Sequence, residues 1–329
     1  MQIISKGRCL DLGVPRIMGI LNVTPDSFSD GGLHNTPEKA LDHAARMLSE
    51  GADIIDIGGE STRPRSRAPE LQEELDRVIP AVEAVVSRLD TLISVDTSRP
   101  EVISAAVNAG AHIWNDIRAL RLPGACSCAA RLGIPVILMH MQGTPRTMQQ
   151  APHYQDVVRE VACFLLKRAE AAMEVGVRRE QLILDPGFGF GKSVQDNFKL
   201  LSHLDELCDL GFPVLAGLSR KSMLGAVCGL KLPGQRTTAS VAAHLISVMK
   251  GARIVRVHDV RATWEALKVF RALDIKETVT PAATAGTHSC ACAAGDTPAE
   301  AAIPESPDTA AQKAAEAPQG VSTAAASEK

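Results

Sequence analysis

Gly51-Ala52-Asp53-Ile54-Ile55 ends a helix-like segment on a glycine and starts a short β-branched run. The same punctuation returns as Gly110-Ala111-His112-Ile113-Trp114, Gly133-Ile134-Pro135-Val136-Ile137, Gly211-Phe212-Pro213-Val214-Leu215 and Gly251-Ala252-Arg253-Ile254-Val255. A glycine just past a helix enters the left-handed region without a Cβ clash, so it marks where each helix stops. The runs that follow are apolar without alternation, as in strands of a parallel sheet covered on both faces. Eight runs of this kind lie near 17–22, 53–57, 92–96, 112–116, 135–140, 182–185, 213–218 and 253–257.

Helical patterns separate most of them. In the first, Thr36 is placed to cap, Pro37 suits the first turn, and Leu41, Ala44, Ala45 and Leu48 follow at helical spacing before Gly51. Eight strands alternating with helices predict an α/β protein with a (β/α)₈ TIM barrel, an open doubly wound sheet being the alternative. Residues 3–13 precede the first barrel strand and are expected to form a hairpin across the barrel floor. The barrel domain is expected to occupy residues 1–280, its folded part ending near Ile275. Segment 281–329 is rich in Ala, Thr, Pro, Ser and Glu and poor in large apolar residues, the composition of a disordered tail.

A chain of 329 residues, 45% hydrophobic, suffices for one large core. Its formal charge of −3 gives no reason to expect nucleic acid or an anionic membrane as partner, so any anion site must come from local Arg and Lys. Neither a signal peptide nor a run of roughly 20 apolar residues is visible, and the expected location is the cytoplasm. The cysteines are then expected to be reduced, with Cys163, Cys208 and Cys228 as core residues of helices. Cys126-x-Cys128 and the His288, Cys290, Cys292 cluster lack a four-ligand zinc pattern.

The strand ends are polar in a way that core packing does not need. They carry Asn22, Asp56, Asp96, Asn115, Asp116, His140, Asp185, Ser219, Arg220, Lys221, Arg256 and His258. In barrels the active site forms at these C-terminal ends. A single strand-end Asp often caps the next helix, but a polar residue at nearly every end describes a basin. Ser61, Thr62 and Arg63 can offer hydroxyl, amide and guanidinium donors to a phosphoryl group, and Arg256 and His258 leave the last strand, where barrels often bind phosphate. Pro186-Gly-Phe-Gly-Phe-Gly-Lys192-Ser193 looks like a nucleotide-binding P-loop, but Pro186 stands where that motif needs glycine. Its glycines are expected to let the loop pass close to a flat ligand beside Asp185.

Eight co-linear segments carry a resemblance. They are LNVTPDSFSDGG (21–32), DIGGESTRP (56–64), ISVDTSRPEV (93–102), NDIR (115–118), LMHMQGTP (138–145), LDPGFGFGK (184–192), GLSRKSM (217–223) and RVHDV (256–260). Together, over about residues 3–275, they resemble the dihydropteroate synthase family. The resemblance implies a (β/α)₈ barrel, usually a homodimer, that joins 6-hydroxymethyl-7,8-dihydropterin diphosphate to 4-aminobenzoate and releases pyrophosphate. Asn22 would bind Mg²⁺ carried by the diphosphate, which Thr62, Arg63, Arg256 and His258 would hold. Asp96, Asn115, Asp185 and Lys221 would line the pterin pocket, with Arg256 stacking on the ring. Phe28, Pro64, Phe190 and Ser222 would form the aminobenzoate site, for which sulfonamides compete. Asp96, Lys221, Arg63, Arg256 and His258 would act in the chemistry. Arg65-Ser66-Arg67 departs from the family, where a small residue commonly follows the proline. The rival readings are a pterin-binding methyltransferase, which needs no diphosphate site, and a non-catalytic pterin-binding paralogue, which should have lost charged site residues.

Overall fold

The computed structural model describes residues 1–24, 36–60, 68–144, 147–148 and 151–273. An antiparallel hairpin, β1 (Gln2–Ser5) and β2 (Arg8–Asp11), precedes the barrel. The barrel begins with β3 (Arg16–Asn22), α1 (Pro37–Ser49), β4 (Ile54–Gly58), α2 (Leu71–Arg88), β5 (Leu92–Asp96) and α3 (Pro100–Asn108). It continues with β6 (Ile113–Asp116), α4 (Ala125–Leu132), β7 (Val136–Met139), α5 (Val157–Glu174) and β8 (Leu182–Asp185). Helices α6 (Val194–Ser202) and α7 (Leu204–Cys208), strand β9 (Leu215–Ala216), helices α8 (Ser222–Cys228) and α9 (Thr237–Met249), strand β10 (Ile254–Val257) and helix α10 (Val260–Leu273) complete it. The sheet runs β8-β7-β6-β5-β4-β3-β10-β9, all parallel, and an isolated parallel bridge between Leu184 and Val214 joins its two ends. The seventh expected strand is shorter than read, because only Leu215 and Ala216 keep the ladder. The expected limit at residue 280 and the segment 281–329 lie outside the described residues.

Period-two alternation sorts most apolar residues of the barrel strands to one of two cores. One residue per strand, namely Met18, Ile54, Leu92, Ile113, Ile137, Ile183, Leu215 and Ile254, forms a closed apolar layer inside the barrel. Ile3 and Leu12 seal that layer from below, as expected for a hairpin crossing the floor. Ser5 Oγ fastens the hairpin by donating to the His112 carbonyl at 2.7 Å. The intervening residues, among them Ile17, Ile55, Ile93, Trp114, Val136, Leu182 and Val255, pack outward against the helices.

Helix α1 starts as read, with Thr36 as cap and Pro37 in the first turn. Its buried stripe is Ala40, Leu41, Ala44 and Met47, leaving Ala45 and Leu48 half-buried. Met47 takes the inner position because Gly19 of β3 leaves room for its sulfur, which a Cβ there would approach to 2.7 Å. The helical cysteines depart from expectation. Cys163 and Cys228 are exposed and Cys208 is half-buried, because each lies beside the buried stripe of its helix.

Candidate active site

The apolar floor decides what stands above it. Two residues further along each strand, at the same inward parity, come Ile20, Asp56, Ser94, Asn115, Met139, Asp185, Gly217 and Arg256. Another two residues on come Asn22, Gly58, Asp96, Ile117, Met141, Gly187, Ser219 and His258. Polar groups from seven of the eight strands thus converge above a sealed base. The β6–β7 side contributes Ile117, Met139 and Met141, which cluster with Met148 and Phe190. The basin therefore has one apolar wall, suited to a flat ring, and charged walls elsewhere.

The same parity separates site from scaffold among the polar strand ends. Asp116, of the opposite parity, accepts hydrogen bonds from Arg118 N–H at 2.8 Å, Leu120 N–H at 2.6 Å and the Ser98 hydroxyl. Arg118 in turn grips Glu60 with two bonds of 3.1 and 3.3 Å, steadying the chain just before residue 61. Arg220 pairs twice with Asp259, at 2.6 and 3.0 Å. These charges hold loops to one another.

At the centre lies Arg256. Its Nε donates to Asp56 Oδ2 at 2.6 Å and a terminal nitrogen donates to Asp96 Oδ2 at 2.8 Å. Asn115 Nδ2 reaches the same Asp56 oxygen at 3.1 Å. Asp56 is 0% exposed, and among the described residues its Oδ1 has no hydrogen-bond partner. Burial lowers the affinity of Arg256 for its proton, but Asp56 and Asp96 outweigh it and hold the guanidinium firmly charged. The sequence marks Asp56 as a strand-end acid, and the family resemblance gives it no site role. Its inward parity, two residues beyond Ile54, is the signal that would have assigned one.

Burial pushes the Asp96 carboxyl up to about 7, against the pull of Arg256 and with repulsion from Asp56, Glu60 and Asp116. Between its ordinary 3.8 and about 7, the folded state then binds more protons than the unfolded state. The stability this contributes is fully present below the lower value and lost as pH rises through the upper one. Asp96→Asn should flatten this dependence, which thermal melts of both proteins across the window would measure. A wild-type melting temperature that rises with pH there would contradict it.

Asp185 accepts the Gly187 N–H at 2.7 Å through Oδ1. Burial raises its pKa, opposed by that bond and by the charges of Lys221, Arg256 and Lys192. Lys221 places Nζ 4.1 Å from the Phe190 ring centroid, and burial brings it down to about 8 despite Asp185. Ser222 is exposed and starts α8.

His258 lies on the other flank. Ser219 Oγ accepts its backbone N–H at 3.1 Å and lies 2.9 Å from Nδ1. With the hydroxyl hydrogen directed at Nδ1, the ring keeps its hydrogen on Nε2 as a neutral donor. Burial first, then Arg220 and Arg256, lowers its pKa to about 3. Asn22, Arg220, Thr237 and His258 line a cavity of about 620 Å³ that continues between α1 and α10.

The fold thus gathers Asn22, Asp96, Asn115, Asp185, Lys221, Arg256, His258, Phe190 and Ser222 at one barrel end. Phe28, Thr62, Arg63, Pro64 and the Arg65–Arg67 departure lie outside the described residues. A divalent ion suits the donor set in one way only. Mg²⁺ commonly takes one or two protein oxygens and fills its shell with water and substrate phosphate, and Asn22 supplies one such oxygen.

A family model described as pterin binding enzyme matches residues 18–258. A dihydropteroate synthase of Haemophilus influenzae is 56% identical over 272 residues, which cover 83% of this chain and 98% of that protein. A solved dihydropteroate synthase of Xanthomonas albilineans with 4-aminobenzoic acid aligns with a TM-score of 0.80 at 54% identity, covering 83% of this chain and 98% of that one. The same organism's enzyme in complex with 7,8-dihydropteroate aligns at 0.77 and 52% identity, covering 84% and 99%.

Proposed function

The chain belongs to the pterin-binding enzyme family, and from that premise we propose how its basin carries out dihydropteroate synthesis. The reaction joins 6-hydroxymethyl-7,8-dihydropterin diphosphate to 4-aminobenzoate, forming 7,8-dihydropteroate and pyrophosphate. It is a transfer that makes a C–N bond. The carrying observation is a buried Asp185 facing Lys221 and Arg256 beside an apolar wall, in a chain about half identical to such enzymes from end to end of the barrel.

The dihydropterin edge presents N–H and amino donors, which the ionised Asp185 accepts as a pair. Lys221 donates to the carbonyl and ring-nitrogen side, and Asn115 adds an amide. Arg256 has two of its nitrogens engaged by Asp56 and Asp96, leaving its other terminal nitrogen and its flat face for the ligand. The arylamine is neutral and nucleophilic at pH 7, so the barrier lies in expelling the diphosphate. His258 Nε2–H, with Thr62 and Arg63, donates to that leaving group. Asn22 would hold Mg²⁺ through its side-chain oxygen, and the ion when bound would supply further positive charge to the leaving group. The substitution is loose: the C–O bond to diphosphate breaks as the ring pushes electrons toward the methylene, then the amine adds and loses its proton. Asp96 steadies the cationic ring. Sulfonamides compete where Phe28, Pro64, Phe190 and Ser222 receive 4-aminobenzoate.

Pyrophosphate release with matching dihydropteroate formation, dependent on 4-aminobenzoate, tests the assignment. Pterin binding without turnover would favour a non-catalytic paralogue, although among the described residues every charged position is filled. Asp96→Asn should slow pyrophosphate release more than it weakens pterin binding, as single-turnover kinetics and calorimetry would show. Equal losses would count against its role.

The protein pairs as a homodimer in this reading. Val227, Leu232, Ile246, Met249, Val269 and Leu273 are exposed on the neighbouring α8–α10 region, an apolar surface suited to a second copy. No helix among the described residues is long and apolar enough to cross a membrane. Residues 281–329 are a dispensable tail, and their removal should leave activity unchanged.

A further inference from the structure

Lys192 ends the loop that resembles a P-loop, yet its ammonium turns back into that loop. It is 3% exposed. Nζ donates to the Gly187 carbonyl at 2.9 Å and the Phe190 carbonyl at 3.2 Å, and meets His140 Nδ1 at 2.9 Å. Three N–H groups therefore find three acceptors, and His140 must offer a lone pair on Nδ1. Burial first, then Lys192 and Arg121, keep that imidazole neutral.

The loop backbone is shaped for this. Gly187, Gly189 and Gly191 have φ of +69°, +79° and +59°. A Cβ on Gly187 would sit 1.9 Å from the His140 carbonyl oxygen, and one on Gly191 would sit 2.5 Å from that of Gln142. Gly187 and Gly191 thus allow close packing on the chain after β7. The Gly187 and Phe190 carbonyls point inward to the ammonium, where a phosphate loop would present amides. Asn197 Oδ1 accepts from Gly189 N–H at 2.7 Å and the Tyr154 hydroxyl donates to the Gly191 carbonyl at 2.6 Å, completing the frame.

We propose that Lys192 is a positioning residue of the pterin pocket: its ammonium, tied to loop carbonyls and His140, holds Asp185 and Phe190 where they meet the pterin. The links are short. Gly187 accepts from Lys192 through its carbonyl oxygen and donates through its own N–H to Asp185. The Phe190 carbonyl is held by Lys192 while its ring covers the Lys221 ammonium. This inference rests on the proposed pocket and adds a residue that no ligand need touch. The charged and titratable groups around Lys192 are Asp185, Lys221, Asp196 and His140. Burial brings the Lys192 ammonium down to about 7, so on the acid side of that value it is charged and lowers the pKa of Asp185, and removing its charge raises that pKa further.

The test compares full-length wild type, Lys192→Met and Asp185→Asn. Binding of 6-hydroxymethyl-7,8-dihydropterin is measured by calorimetry across pH, with steady-state kinetics for both substrates. Lys192→Met should raise the pterin Kd about 10-fold, the scale of one lost charge-assisted hydrogen bond. KM for the dihydropterin diphosphate should rise more than KM for 4-aminobenzoate. The acid limb of pterin binding should move to higher pH, a change that looser packing alone would not produce. A folded Lys192→Met with unchanged pterin Kd and acid limb overturns the inference. If Lys192→Met gives no cooperative melt, His140→Leu, which removes one acceptor, is measured instead, and an unchanged pterin Kd overturns it equally. Retained pterin binding by Asp185→Asn would instead overturn the pocket itself.

Discussion

Asp185→Asn is expected to cut kcat/KM for the dihydropterin diphosphate by roughly 10³-fold while leaving the protein as stable as before, or more so. The two halves of this result have different atomic causes. Oδ1 already serves the fold, accepting the Gly187 N–H at 2.7 Å, and the amide oxygen of Asn can take its place. Burial disfavours the carboxylate charge here, so a neutral amide removes that penalty. The second carboxylate oxygen is the one that changes, from acceptor to donor. A donor facing pterin N–H leaves two donors opposed and both unpaired, which costs more than losing a bond. Calorimetry with the pterin and thermal melting of the same samples would check both halves. A variant that melted much earlier, or that bound the pterin normally, would show that Asp185 serves packing.

Lys221→Met should lower kcat/KM by about 10²-fold or more and remove the alkaline limb of its pH profile. Lys221 acts as a donor only when protonated. With its pKa lowered to about 8 by burial, wild-type activity should fall as pH rises through that value. Met keeps the length and the contact with the Phe190 ring, so the change isolates the charge. Lys221 also helps keep Asp185 ionised. The variant's acid limb should accordingly move to higher pH, so the profile narrows from that side even as the alkaline limb disappears. Loss of rate with both limbs unmoved would assign the wild-type limbs to other groups.

Much of this site was legible because barrels repeat one local instruction. Five of the eight strand runs follow a glycine stop and nearly every run ends on a polar residue, and none of these signals needs a distant residue. Reading the runs by parity would have gone further. The residues two beyond the floor positions include Asp56, Asn115, Asp185 and Arg256, whereas Asp116 and His140 fall out of phase. What parity cannot supply is pairing. Arg256 could be read as a cation for phosphate, but nothing near it in the chain indicated that Asp56 and Asp96, 200 and 160 residues earlier, already engage it. Lys192 was equally opaque, since a Gly-rich loop ending in lysine has the same local pattern whether amides or carbonyls point inward.

The sequence alone therefore determined the eight βα units, the floor hairpin, the end of the barrel that is polar and the family, because caps, strand runs and motif spacing are encoded within a few residues of one another. Only the tertiary structure decided which charges face a ligand and which hold loops. Barrel closure sets Asp56 and Asp96 2.6 and 2.8 Å from Arg256, at hydrogen-bond range, and burial there makes the proton affinity of Asp96 depend on these neighbours. Charge and proton affinity at such distances are properties of the assembled basin, since they arise from neighbours that the chain brings together only by folding.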